Sequence, residues 1–550
     1  MFGKQKGIDV TLELEGKQQQ FNSMLGFLYE KTTFSIKFRD GQRMYIKDGC
    51  VIRQDTTKYP DHKQEVYRNF EQAQFLVWNG KYGRDDKKIG KWSAFWMEDD
   101  KIKVGGGWFD NNGQKYGKWI ELSENYSKVS KLTYVGQYNN GIRIGQWDIY
   151  YNDTIIGLGV YNQKGMKNGE WTILHENFWN RCQIIYIGQF LDGKRISEWK
   201  TFYRFSYKDS FNFFSSGQYN QSGKKIGEWN EFDENFWHDH EVISCGKYDS
   251  GKKIGKWIIK FRNFFYEQFQ IIGGGNYDEN GKKIGKWIEL SEYFLSNCQT
   301  FLIGEYENGK RVGKWELYFQ QNSKKEYKRK KNLIGGGVYD KNGIKDGKWI
   351  ELYGSNLIET FTLCSVFYQG SYIKGQRVGK WEIFQNSQKI GGGVYEQPDI
   401  KTGPWIEIHN NYCNECRVFY TGEYKDGWKI GKWSTLDHYD YILGGGKYNN
   451  QGLKIGKWIE ICENYDEEYQ IYQVGEFKNG IKIGKWEIFS KKRLDTQYKT
   501  IGGGQYNEKG QKNGQWIDIL SYQNDPQKIL LIGQYKNGLK LGQFIRENLN

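Results

Sequence analysis

One twelve-residue stretch constrains what this chain can fold into: Gly304-Glu-Tyr306-Glu-Asn308-Gly309-Lys-Arg-Val-Gly313-Lys-Trp315. It occurs seventeen times, closing on Trp92, Trp119, Trp147, Trp171, Trp199, Trp229, Trp257, Trp287, Trp315, Trp349, Trp381, Trp405, Trp433, Trp458, Trp486, Trp516 and Phe544. Neighbouring copies lie 24 to 34 residues apart. That period marks a repeat architecture, in which a unit too small to bury its apolar face alone buries it on its neighbours. A length of 550 residues would otherwise suggest several separate domains.

Each copy reads as a β-hairpin. Tyr306 closes one strand, Asn308-Gly309 turns, and Val312 to Leu317 alternates as the return strand. A turn centred there would set Gly304 across from Gly313, on the face shared by Tyr306 and Trp315. Two facing glycines would leave a floor for a Trp from the next repeat. The copies alternate between two kinds from Trp119 onward. One has nine residues from its Tyr or Phe to the closing aromatic, as from Tyr306 to Trp315; the other has ten, as from Tyr277 to Trp287. The longer kind usually follows a Gly triplet, as at Gly273–Gly275, so the true unit is a pair of hairpins. Gly285, Trp287 and Glu289 share one face of the return strand, and Ile284, Ile288 and Leu290 the other. Both faces are thus partly apolar, and one must be covered by coiling or by a partner.

Alanine occurs only at Ala73 and Ala94, which argues against helical repeats. The fold class expected is all-β: an elongated antiparallel β-hairpin array over residues 76–550, with an N-terminal cap region over 1–75. Seventeen hairpins give about 34 strands, and an uncoiled ribbon of them would approach about 160 Å. In the N-terminal region, Phe34–Phe38 and Met44–Ile46 read as strands around Asp40-Gly41, Lys47–Gln64 as a loop, and Gln64–Phe75 as a short helix.

A net charge of +14 favours anionic partners. Much of it is one Lys or Arg per hairpin, such as Lys283 and Arg311, which reads as solvated turns. The strongest electrostatic candidate is the stretch containing Lys324, Lys325, Lys328, Arg329, Lys330 and Lys331, in the longest variable loop. The loops after Trp199, Trp257, Trp315 and Trp486 differ in length, which suits addressing different partners. The eight Cys form no regular pairs, and the N-terminus shows no apolar leader, as expected of a soluble protein in a reducing compartment.

Chemistry is hard to find. Cys413 and Cys416 with His409 lack the second pair that a structural zinc site commonly has, and His238-Asp-His240 reads as an equivalent turn. The Gly triplets precede hairpins, not helices, so they are packing glycines rather than a phosphate loop. Glu289, Glu351, Glu407 and Glu460 recur after Trp-Ile, each positioned to pair with a neighbouring Lys. No catalytic residue, cofactor or metal is expected.

Gly-x-Tyr-x-x-Gly-x-x-x-Gly resembles the MORN repeat, and the Gly-x-Trp ending at Gly313–Trp315 resembles its divergent second family. Gly304, Tyr306, Gly309, Gly313 and Trp315 carry the resemblance, which covers about residues 78–546. The ten-residue copies depart from the pattern by one inserted residue. The composition also resembles that of proteins from AT-rich genomes such as ciliates. The resemblance implies a non-enzymatic scaffold in a cytoskeletal or ciliary (axonemal) assembly; the positive charge adds tubulin as an expected anionic partner, and the location expected is the cytoplasm. Peripheral binding to acidic lipid, or service as an accessory subunit of an enzyme complex, are the alternatives. Nucleic acid is not expected.

Overall fold

The structure, a computed structural model, describes residues 10–548 apart from 23–25, 40–41, 48–49, 57–68, 84–86, 98–100, 129, 177, 181, 207, 235, 237–239, 264–266, 293, 295–298, 321–330, 354–365, 410–411, 413–415, 463–468, 493–496 and 521–528. The described residues form 38 strands and one short helix, α1 (Phe70–Phe75). No described helix is long and apolar enough to cross a membrane.

Two sheets are present. The first is small and antiparallel, with β1 (Val10–Asn22), β2 (Gly26–Arg39), β3 (Gln42–Lys47) and β4 (Cys50–Thr56) in chain order. The second runs from β5 (Leu76–Tyr82) to the last strand, Leu539–Asn548. It is one antiparallel sheet of hairpins, in which each strand pairs with its chain neighbours and, among the described residues, no ladder joins the last strand to β5. β4 lies inside the stretch expected to be a loop. Polar residues such as Arg53 and Gln54 obscured it, although Val51 is buried.

The hairpin turns follow their residues. Glu307 pairs with Lys310, leaving Asn308 and Gly309 as a two-residue loop with φ of 51° and 80°. Positive φ at both centres is the type I′ turn, whose twist matches the strands it joins. In the ten-residue kind, Tyr277 pairs with Lys283 and five residues make the loop. There the Asp278 carboxylate accepts from the backbone N–H groups of Asn280 and Lys282, and Gly281 takes φ of 81°. The inserted residue thus selects a second turn type, closed by an aspartate here and by an asparagine at Asn162, Asn220, Asn449 and Asn507.

The glycine floor is real but differs from the expected one. Ile303 pairs with Glu316, whereas Glu305 pairs with Val312, so a bulge at Gly313 carries the extra residues. Gly313 has φ of 64° and open space where a side chain would go. Gly304 therefore does not face Gly313. The Trp315 ring of the same hairpin lies on Gly304, so a Cβ added there would sit 2.4 Å from the indole. The indole N–H then donates to the Glu305 carbonyl at 3.2 Å, beside the bulge. Glycine is required at one position for contact and at the other for backbone conformation.

Repetition turns this motif into a column. All sixteen repeat tryptophans are at most 7% exposed. Each meets the Tyr or Phe of its own hairpin and that of the next edge-on, as Trp315 does Tyr306 at 5.3 Å and Tyr339 at 6.2 Å. The contacts run unbroken from Tyr82 to Phe544. Edge-to-face contacts suit the ring quadrupoles and add about 0.5–1.5 kcal/mol each beyond burial. The Gly triplets let neighbouring strands close up. A Cβ at Gly274 would meet the Trp257 carbonyl oxygen at 2.1 Å, and one at Gly275 the Trp287 ring at 2.3 Å.

A second column stacks at the other end of the strands. The linker turns tuck in Tyr126, Phe178, Phe236, Phe294 and Tyr412, all buried. Turns bond to one another, as Asn125 Nδ2 does to the Glu176 carbonyl at 3.0 Å. α1 lies against the first turn in the same manner, with Asn69 and Gln72 donating to the carbonyls of Glu124 and Tyr126.

The sheet coils instead of running straight. The β4 backbone N–H of Val51 donates to the Gly510 carbonyl at 3.1 Å, and Gln511 Nε2 donates to Gln54 Oε1 at 2.8 Å. Two residues from Val51, Arg53 donates to the carbonyl of Leu76 in β5 at 2.6 Å. The first hairpin and the one before the last, Tyr506–Trp516, therefore meet across one small sheet, so the array takes the coiled form that the sequence left open beside an uncoiled ribbon. The twist inherent in β-strands supplies the curvature.

The Trp column should dominate local stability. Trp315→Ala, at a fully buried ring, should cost about 3–5 kcal/mol. Trp428, which opens the strand Trp428–Leu436 just after a turn and is 58% exposed, should tolerate Ala within about 0.5 kcal/mol. Hydrogen exchange resolved by hairpin separates the two, and equal costs would contradict the packing described.

Candidate functional site

The cation four residues before each closing aromatic is not a solvated turn group. From Lys88 over Trp92 to Lys540 over Phe544, all seventeen copies place a Lys or Arg on the ring, at 4.0 to 4.9 Å from its centre. Lys283 lies 4.5 Å over Trp287 and Arg311 lies 4.6 Å over Trp315, each with about 30% of its side chain exposed. The expectation of freely solvated Lys283 and Arg311 is therefore corrected. Four residues of strand interrupted by the bulge bring the cation back over the indole, a geometry that residue spacing alone hides. A partly desolvated cation over Trp gains about 1–2 kcal/mol.

The acids after Trp-Ile complete the row. Glu289 Oε1 pairs with Lys283, its Oε2 lies 2.7 Å from Arg311 of the next hairpin, and it accepts from the Tyr306 hydroxyl at 2.9 Å. Glu121, Glu231, Glu351, Glu407 and Glu460 likewise bridge two cations, and Asp518 pairs with Lys512 and Tyr535. Burial pushes the Glu289 carboxyl up, but Lys283 and Arg311 more than reverse it and hold it below the ordinary 4.5. Glu121, Glu231, Glu407 and Glu460 are depressed in the same way. The Tyr306 hydroxyl is pushed up to about 12, chiefly by burial. Each carboxylate has a fixed partner on both sides, so the row is suited to holding hairpins in register and not to proton transfer.

Of the sequence candidates, Lys324, Lys325, Lys328, Arg329 and Lys330 lie outside the described residues; Lys331 opens the strand Lys331–Tyr339. Cys413, His238 and Asp239 also lie outside them. Cys416 and His409 do meet, with Sγ 3.7 Å from Nδ1, and both are buried. Cys182 and His175 make the same contact at 3.6 Å in the equivalent turn. Burial alone drives the His409 imidazole down to about 4, so it is neutral and closes a turn. No cluster of three or more metal-ligating side chains occurs among the described residues.

The opposite face of the sheet was legible only as a concern about exposure. Ile120, Ile350, Ile406 and Ile459, each following a repeat Trp, are 36 to 42% exposed, and each faces the middle glycine of a triplet across the strand pair. Val160, Val338 and Val394 are similarly exposed. Around Trp257 this face forms a shallow groove lined by Ile258, Ile271, Ile272 and Ile288.

No family model and no curated protein matches this chain. Among solved structures, one reported in a study of two prolyl endopeptidases aligns at 8% identity and a TM-score of 0.27, covering 88% of this chain and 54% of that one. The NanB sialidase of Streptococcus pneumoniae aligns at 10% identity and 0.19, covering 96% and 92%. A Lactobacillus plantarum protein aligns at 6% and 0.17, covering 63% and 91%. At these scores the likenesses assign neither fold nor activity.

The acid row has a pH signature. A carboxyl depressed in the folded chain binds its proton more readily when unfolded, so its contribution is full above the unfolded value and is lost as pH falls through the folded one. Stability from this row should hold at pH 5–7 and fall below about pH 4.5. Glu289→Gln should cost about 1–2 kcal/mol at neutral pH and flatten the acid limb, as read by denaturant melts across pH.

Proposed function

We propose that the chain is a non-enzymatic scaffold of the MORN-repeat kind that docks other proteins along a coiled β-array, in the cytoplasm and on a cytoskeletal or ciliary structure. The observation carrying this reading is the division of labour between the two faces. One face is consumed by internal packing, with rings, cations and acids satisfying one another. The other carries an exposed isoleucine over the middle glycine of a triplet in four of the longer hairpins, at Ile120, Ile350, Ile406 and Ile459. Extended apolar surface of this kind marks protein contact sites. Several weak contacts along one rigid body add through effective concentration. On this reading α1 and the four-stranded sheet act as a cap, covering the first linker turn of the array and touching the Gly510 turn near its far end.

The lipid alternative needs free basic turns. The turn-proximal cations Lys283 and Lys454 are instead paired with Glu289 and Glu460, which weakens it. The variable loop containing Lys324–Lys331 remains the candidate for an anionic protein such as a tubulin tail. Replacing that loop with neutral residues should weaken binding to a tubulin tail peptide and lower its salt dependence, with the melting transition within about 0.5 kcal/mol of the parent. Cross-linking in the native cell should place protein neighbours on the same loop and on the isoleucine face. Salt-sensitive sedimentation with phosphatidylserine vesicles, unaffected by the loop replacement and without protein cross-links, would favour the lipid reading.

A further inference from the structure

The acid row is broken once. In seven of the eight longer hairpins the residue two past the tryptophan is Glu121, Glu231, Glu289, Glu351, Glu407, Glu460 or Asp518; in the eighth it is Ile173. The two cations that an acid there would bridge are retained. Lys167 lies 4.7 Å over Trp171 and 5.2 Å over Phe190, and Arg195 lies 4.8 Å over Trp199. Arg195 donates to the Tyr219 hydroxyl at 2.9 Å. Neither cation has a carboxylate partner among the described residues.

A second change accompanies the first. Phe190 stands where Tyr138, Tyr248, Tyr306, Tyr372, Tyr424 and Tyr535 each offer a hydroxyl to the acid. Losing the hydroxyl does not require losing the acid, because Phe477 occurs beside an intact Glu460 paired with Lys454 and Lys482. The segment around Ile173 has therefore lost both polar partners while keeping both cations. Like charges held together at a partly buried site oppose one another. Burial, reinforced by Arg195 and Arg143, pushes the Lys167 amine down to about 8.

We propose that Lys167 and Arg195 form a binding site for a carboxylate supplied from outside the chain, which takes the place held by the side-chain acid in the other copies. The bridged copies show why a carboxylate fits. Its two oxygens each take one cation, as Glu289 Oε1 takes Lys283 and Oε2 takes Arg311. Ile173 packs its apolar side chain against the cluster of Trp171, Phe190 and Trp199 and offers neither cation an acceptor. The rings of Trp171, Phe190 and Trp199 exclude water from the flanks, strengthening charge-assisted hydrogen bonds made there. The carboxylate could belong to a free small acid or to an Asp or Glu of a docked protein, and the site is defined independently of the scaffold reading.

The test uses the full chain. Lys167, a partly deprotonated amine, should acylate with an N-hydroxysuccinimide ester faster than Lys225 and Lys283, read residue by residue in a mass spectrometer. Acetate, or a hexaglutamate peptide, at twice its Kd should protect Lys167 about threefold, with sodium chloride at matched ionic strength as the reference. Exposed Lys256 controls for general screening. Protection by acetate identifies a free acid; protection by the peptide alone identifies an acidic segment of a partner. No protection by either, or protection by inorganic phosphate and not by acetate or peptide, overturns the proposal. Ile173→Glu should suppress Lys167 labelling with no additive, and full labelling in that variant also overturns it. If Ile173→Glu fails to fold, Glu289→Ile should open the same gap and make Lys283 protectable by the carboxylate that protects Lys167; an unprotected Lys283 there overturns the proposal.

Discussion

A cation lying on an indole that itself lies on a glycine is the contact from which this fold is built. The indole needs a flat floor, so Gly304 and its equivalents carry no side chain. The bulge at Gly313 places Arg311 over the ring, and the indole N–H donates to the Glu305 carbonyl beside it. One hairpin cannot bury such a ring on both sides. The next hairpin's Tyr closes the second side, which makes the array, rather than the hairpin, the stable unit.

The alternation of hairpin kinds follows from the same contact. Only the longer kind places an acid two residues past the Trp, where it reaches cations of two hairpins and ties a pair together. Ion pairs that are partly exposed contribute modestly one by one. Their value here is in register, because sliding a strand would leave half-buried cations without carboxylates. The exception at Ile173 therefore stands out against the rest of the row. It keeps Lys167 and Arg195 in place without their bridge.

Much of this was legible in the sequence, though unevenly. Asn308-Gly309 announced its turn because few other dipeptides accept positive φ twice. Trp315 announced burial by recurring, and Glu289 announced a Lys partner by position. Lys283 and Arg311 were misread because a Lys or Arg beside a turn is usually solvated, and only the bulge turns it onto the ring. β4 was hidden by its polar residues, and the strands of the first sheet lack the repeat that made the others visible. Coiling was readable only as one of two ways to cover the second apolar face. Curvature accumulates from small twists over the whole sheet, and its evidence is a long-range bond from Val51 to Gly510.

The account makes the cation a structural element of every hairpin, and one comparison tests that directly. Lys253 lies 4.0 Å over Trp257, whereas Lys256, three residues on, is exposed on the other face. Methionine preserves the length of either side chain and removes the charge. Lys253→Met should speed hydrogen exchange in its own hairpin and both neighbours, by roughly five- to thirtyfold for a loss of about 1–2 kcal/mol, while Lys256→Met leaves it unchanged. Equal exchange in the two variants would show that the cation is incidental and that the rings and glycines alone hold the array.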